Sequence, residues 1–150
     1  KGLCYGFNIP LIAIDSLTVM ASAISKSQAL QPEALLCPMI DARRMEVYCA
    51  LYNSKLDLLK ETSAEIISED SFAELQDRPL YIFGDGAEKC HTVLERPKVH
   101  YIPDINPMAE FLAPLAELAF NNQKFEDVAY FEPFYLKNFV ATISKKNVLG

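Results

Sequence analysis

The segment Leu35-Leu36-Cys37-Pro38-Met39-Ile40-Asp41-Ala42-Arg43-Arg44-Met45-Glu46-Val47-Tyr48-Cys49-Ala50-Leu51-Tyr52 reads as two strands joined by a charged tip. Residues 35–40 form a nearly continuous apolar run, as in a strand buried on both faces. In residues 45–52, Val47, Cys49 and Leu51 fall on one side, while Glu46, Tyr48, Ala50 and Tyr52 fall on the other. That period of two marks a strand. The pair is an antiparallel hairpin, with Asp41-Ala42-Arg43-Arg44 at its tip and Glu46 behind.

Downstream, Asn53-Ser54-Lys55 is a turn signal and residues 56–67 supply a third strand of the same meander. Residues 70–76 suit a short helix. Leu80-Tyr81-Ile82-Phe83 is a buried strand running into Gly84-Asp85-Gly86 and a helical stretch over 87–94, and residues 99–102 are another short strand. Asn106-Pro107 marks a helix start, with Asn as N-cap and Pro at the first helical position. Met108, Phe111, Leu112, Leu115, Leu118 and Ala119 form that helix's apolar stripe, and Asn121-Asn122 ends it. The tail from Tyr130 to Phe139 carries five aromatics, and Pro133 excludes a regular helix there.

Upstream, residues 11–14 are a short apolar run expected as a buried strand. Asp15 or Ser16 then caps a helix whose stripe is Leu17, Met20, Ala21 and Ile24, fading before Pro32. Residues 1–8 read as the last turns of a helix, with Gly6 or Asn8 supplying the left-handed C-terminal position. A helix met at its own end suggests a chain cut from a larger protein. The whole pattern is α/β with mixed strand directions.

Composition bounds the function. The formal charge is −6, the opposite of the basic balance expected of a domain that binds nucleic acid by itself. A 51% apolar content argues against disorder. No stretch approaches the roughly 20 apolar residues of a membrane helix, and no signal-peptide pattern is present. The four cysteines (Cys4, Cys37, Cys49, Cys90) lack any C-x-x-C spacing. They read as small buried hydrophobes in a reducing, cytoplasmic compartment.

Few residues suggest chemistry. Gly84-Asp85-Gly86 lies between a strand and a helix, where glycines can bring backbone N–H groups to a phosphate. The motif is far shorter than a phosphate-binding loop, and a tight turn with Asp85 as N-cap is the favoured reading. Arg43 and Arg44 could grip a carboxylate or phosphate, or Asp41 could pair internally with an arginine and fix the turn. His91 and His100 lack the spacing of a metal pair. Asp57, Glu61, Glu65 and Asp70 read as a solvated edge. No metal site and no complete catalytic constellation is legible.

In their order, these motifs resemble the TsaB (YeaZ) family, a non-catalytic partner in bacterial tRNA threonylcarbamoyladenosine synthesis of the Gcp-like, glycoprotease-like superfamily. The matching stretches are Lys1-Gly2-Leu3 with Gly6 and Asn8-Ile9-Pro10-Leu11-Ile12, then Asp41-Ala42-Arg43-Arg44-Met45-Glu46-Val47-Tyr48. Gly84-Asp85-Gly86-Ala87, Pro107-Met108-Ala109 and Glu132-Pro133-Phe134-Tyr135-Leu136-Lys137 follow in order. The resemblance implies an actin-like, ribonuclease H-like lobe with a mixed β-sheet flanked by helices. It further implies that residues 1–8 end an inter-lobe helix, that 9–142 form the carboxy-terminal lobe and 143–150 a flexible tail, and that an amino-terminal lobe is absent.

Functionally, the resemblance implies an accessory subunit, not an enzyme. It would partner a TsaD-like catalytic paralogue and a TsaE-like ATPase, in a complex that uses ATP and magnesium and meets tRNA indirectly. Transfer of a threonylcarbamoyl group to adenosine 37 of tRNAs reading ANN codons is the implied reaction. Asp41, Arg43, Arg44 and Glu46 are then candidates for partner contact, and a lobe parted from its mate could form a homodimer. The alternative is a nucleotide-binding ATPase or phosphotransferase of the actin-like superfamily, with Gly84, Asp85 and Gly86 at its phosphate site. The older glycoprotease label would need a metal-binding histidine pair, which His91 and His100 do not supply.

Overall fold

The computed structural model describes residues 1–136 apart from residues 28 and 76. Among these, the elements run α1 (Gly2–Phe7), α2 (Ser16–Ser27), β1 (Leu35–Asp41), β2 (Glu46–Asn53), β3 (Leu58–Ile66), a 3₁₀ turn (Ala73–Leu75), β4 (Leu80–Phe83), α3 (Ala87–His91), β5 (Val99–Ile102) and α4 (Ala109–Asn121). The strands form one sheet in the order β3-β2-β1-β4-β5. The meander β1-β2-β3 is antiparallel, while β1, β4 and β5 run parallel. The parallel strands therefore start at one end of the sheet, and the hairpin tip and the glycine turn lie together at the other.

The period of two in β2 sorts the core into two layers. Val47, Cys49 and Leu51 join Leu35, Cys37, Met39, Leu80 and Ile82 on one face, under Ala87 and Cys90 of α3. Ala50 and Tyr52 join Leu36, Tyr81 and Phe83 on the other, under α2. The expected stripe of α2 is there: Leu17, Met20, Ala21 and Ile24 are all buried, and each of the three larger side chains contributes roughly 1.5–3 kcal/mol. Asp15 Oδ1 accepts the backbone N–H of Leu17 at 2.7 Å, so Asp15 is the cap. The Tyr52 and Thr18 hydroxyls, 2.8 Å apart, tie α2 to β2. Pro38 in the central strand has no N–H to give, and the β1–β2 pairing skips from Leu36↔Tyr52 to Met39↔Cys49 around it.

Several expectations need correction. Residues 11–14 are not a strand of the sheet: Leu11 makes an isolated bridge to Glu126, and the remainder is an irregular lead-in to the cap at Asp15. Of residues 70–75, only Ala73–Leu75 are helical, as a single 3₁₀ turn, and residue 76 lies outside the described residues. The α3 helix stops at His91 instead of reaching residue 94. The α4 helix begins at Ala109, with Met108 extended at φ −92°, ψ 147° and no side-chain cap; Asn106 and Pro107 stand before it. Its stripe is not a core stripe. Ala119 is buried, but Leu112 and Leu118 are exposed, as is Met108 before the helix, because α4 packs chiefly on α2.

At the start of the chain, α1 ends on Asn8 in the left-handed conformation (φ 51°, ψ 45°). The Lys1 ammonium bonds the carbonyl oxygens of Ala129 and Phe131, joining α1 to the tail. Leu3, Tyr5 and Phe7 are exposed, as are Tyr130, Phe134 and Tyr135. Phe139 and residues 143–150 of the expected tail lie outside the described residues.

Candidate functional site

The hairpin tip is a tied knot of charge. Ala42 N–H donates to the Glu46 carbonyl at 3.1 Å and Glu46 N–H to the Arg43 carbonyl at 3.1 Å, closing the turn. Asp41 Oδ1 accepts the Arg43 N–H at 2.8 Å and also the Lys89 ammonium of α3. Lys89 Nζ donates in addition to the Glu46 carbonyl at 2.8 Å. The Lys89 ammonium, and then the Arg43 N–H, hold the Asp41 carboxyl below its usual range. The internal pairing expected of Asp41 therefore exists, but its cationic partner is Lys89, with Arg43 contributing its backbone. Both arginine side chains are exposed and make no salt bridge among the described residues.

Arg43 and Arg44 both have positive φ, 75° and 50°. Left-handed backbone costs a non-glycine residue about 1–2 kcal/mol, and such strain persists only where its surroundings over-determine it. The ties from Asp41, Glu46 and Lys89 are those surroundings. The result is a rigid tip presenting two adjacent guanidinium groups, a form suited to gripping an anionic surface.

Gly84-Asp85-Gly86 sits directly beside this tip. A Cβ on Gly84 would lie 2.3 Å from the Met39 carbonyl oxygen, and one on Gly86 would lie 2.8 Å from the Ile40 carbonyl carbon. Gly84 also has φ +101°. Gly86 N–H donates to the Met39 carbonyl and Ala87 N–H to the Gly84 carbonyl, both at 3.0 Å. The glycines thus serve close packing of the β4–α3 turn on β1, and the N–H groups of Gly86 and Ala87 are committed to backbone carbonyls. Asp85 is not the helix N-cap: Gly86 holds that position without a side-chain bond, and the Asp85 carboxylate accepts the Asp41 N–H at 3.1 Å.

The remaining candidates separate. His91 stacks on Tyr101 and His100 on Tyr81; Tyr101 and Tyr81 pack on opposite faces of the sheet, so the two imidazoles cannot share an ion. Cys37, Cys49 and Cys90 are buried, while Cys4 is only half-buried. The Cys37 thiol is pushed up by its hydrogen bond with Cys49 and by burial, and the Cys90 thiol by burial, as in inert core cysteines. On the edge, Glu65 pairs with Lys60 at 2.8 Å, and Asp57 accepts from Asn53.

Two features escape the sequence. One is Lys89, 48 residues from Asp41, which no local pattern connects to the hairpin. The other is a cavity of about 610 Å³ walled by Asp15 and Ser16 before and at the start of α2, by Ile40, Tyr48 and Thr62 of the sheet, and by tail residues from Phe131 to Leu136. Around it meet two distant motifs, the hairpin and the Pro133 segment.

The strand order, the two-layer core and the helices on both faces define an actin-like, ribonuclease H-like α/β lobe. The model of the TsaD family, tRNA N6-adenosine threonylcarbamoyltransferase, matches residues 1–138, and the chain belongs to that family. Among solved structures it is similar to an uncharacterized Pseudomonas aeruginosa protein described as similar to peptidase YEAZ, with TM-score 0.70 and 20% identity over 91% of this chain and 63% of that one. It is also similar to YeaZ from Pseudomonas aeruginosa, with TM-score 0.68 and 22% identity over 90% of this chain and 63% of that one. The chain thus spans 63% of the length of these solved relatives. No curated protein sequence matches it. The fold is TsaB (YeaZ)-like, as the hairpin and tail motifs imply.

Proposed function

We propose that the chain is the carboxy-terminal lobe of a cytosolic, TsaB-type accessory subunit that partners a TsaD-like catalytic paralogue. In this reading the complex, with a TsaE-like ATPase, transfers a threonylcarbamoyl group to adenosine 37 of tRNAs reading ANN codons. The family match across residues 1–138 carries the link to this chemistry. The accessory role is supported by the way the polar groups beside the hairpin are used. Asp41 is bound to Lys89 and Arg43, and Asp85 to the Asp41 backbone. Both carboxylates serve the fold, and the exposed arginines remain for contact. Close packing on β1 backbone accounts for the glycines of this turn, which supports a structural role for them; in this reading ATP and magnesium belong to the complex. Among the described residues no helix is long and apolar enough to cross a membrane.

The test pairs two measurements on the purified protein. Calorimetry with ATP and magnesium should show no tight binding in the absence of partners, and co-elution with the TsaD-like paralogue should show a stable complex. Tight nucleotide binding by the protein alone, with no complex formed, would overturn the reading in favour of an ATPase or phosphotransferase.

A further inference from the structure

At the end of the sheet where β1, β4 and β5 begin, far from the hairpin tip, lies a second cavity of about 280 Å³. In a chain with 14 basic and 20 acidic residues, this one cavity is lined by Arg78, Arg96 and Lys98 against the single carboxylate of Asp77. Its apolar wall comes from Phe72, Leu75, Leu80 and Val99.

The three cations are held in place by the strand starts. Leu35 N–H donates to the Pro79 carbonyl and Leu80 N–H to the Lys98 carbonyl, both at 2.8 Å, which fixes the backbone beside Arg78 and Lys98. Each side chain also has a backbone tether. Arg78 Nε donates to the Glu33 carbonyl at 3.1 Å, Arg96 Nη2 to the Ser71 carbonyl at 2.6 Å, and Lys98 Nζ to the Asp77 carbonyl at 2.7 Å. A guanidinium has five N–H donors and an ammonium three, so each tether uses a fraction of the available donors. Tethering also removes part of the rotamer entropy that a ligand would otherwise have to freeze.

We propose that this cavity binds a phosphate ester, one nucleotide unit in size, with Arg78, Arg96 and Lys98 on the phosphate and the Phe72–Leu75–Val99 wall against the attached ring. Two guanidinium forks and an ammonium suit a phosphate's several oxygens. The volume sits at the small end of the roughly 300–1,000 Å³ range of ligand pockets. The inference is independent of the accessory role proposed above. The nucleotide unit could be a free mononucleotide or part of an RNA strand.

Amide-shift titration of the protein in low salt tests this, with AMP, orthophosphate and a short single-stranded oligoribonucleotide as separate probes. Saturable shifts confined to residues 70–80 and 95–99, with AMP or the oligonucleotide binding more tightly than orthophosphate, are expected. Tighter oligonucleotide binding than AMP binding points to a strand, and the reverse to a free nucleotide. Lys98→Glu, at an exposed position, should weaken binding about tenfold or more. Absent or scattered shifts, orthophosphate binding as well as AMP and the oligonucleotide, or unchanged affinity in Lys98→Glu would each overturn the proposal.

Discussion

Lys89 of α3 bonds the carboxylate of Asp41 at the end of β1 and, through the same nitrogen, the carbonyl of Glu46 at the start of β2. One helix side chain therefore clamps both arms of the hairpin. Lys89→Met should release the clamp. The Asp41 carboxyl should then titrate closer to its ordinary value, and hydrogen exchange at Ala42 should quicken. The sign of the pH effect follows from the depressed Asp41 pKa. The clamp's stabilisation is present above the unfolded carboxylate value of roughly 3.9 and is lost as pH falls through the lower folded value. Carboxyl NMR titration of both proteins checks this.

Gly84→Ala should be among the most damaging small substitutions. The new Cβ meets backbone at 2.3 Å, in a residue with φ +101°, and a cost of about 2–4 kcal/mol is expected from overpacking plus the wrong φ. Gly86→Ala, with negative φ and a 2.8 Å contact, should cost less, about 1–3 kcal/mol. Denaturant midpoints at constant slope measure both.

Ser22 is fully buried in α2, and its hydroxyl has no hydrogen-bond partner among the described residues. Ser22→Ala removes an unsatisfied group and adds helix propensity, so stability should rise by up to about 1 kcal/mol. A melting temperature a few degrees higher is the expected readout; a marked fall would mean that the hydroxyl has a partner.

The five strands of the sheet were legible because their evidence is local, whereas the apolar run at residues 11–14 carried no alternation and is not a strand of the sheet. Val47, Cys49 and Leu51 alternate with Tyr48, Ala50 and Tyr52, and that pattern survives into the two core layers. Residue type narrowed the caps to Gly6 or Asn8 and to Asp15 or Ser16, and the structure selects Asn8 and Asp15. Residue type and spacing run out where tertiary placement decides. Leu112 and Leu118 share the expected apolar stripe, but what that stripe faces was not legible: they lie exposed on a helix packed chiefly against α2. Asp85 has cap chemistry, yet the Asp41 N–H lies within its reach. At the candidate site the sequence showed the charges of the tip, while the Lys89 clamp required the fold.

Arg43→Gly separates strain from contact. Glycine adopts the observed φ of 75° freely, and this gain roughly offsets its greater unfolded entropy, so stability should stay within about 1 kcal/mol of the parent. Association with the TsaD-like paralogue should nonetheless weaken if the guanidinium makes contact. Unfolding midpoints and binding titrations on the same samples read the two effects separately.

The accessory role is tested most directly by reconstituting tRNA modification from the TsaD-like paralogue, the TsaE-like ATPase, ATP, magnesium and the threonylcarbamoyl donor, with and without this protein. Quantifying threonylcarbamoyladenosine at position 37 should show modification that depends on the protein and falls when Arg43 and Arg44 are both changed to alanine. Undiminished modification in its absence would contradict the account.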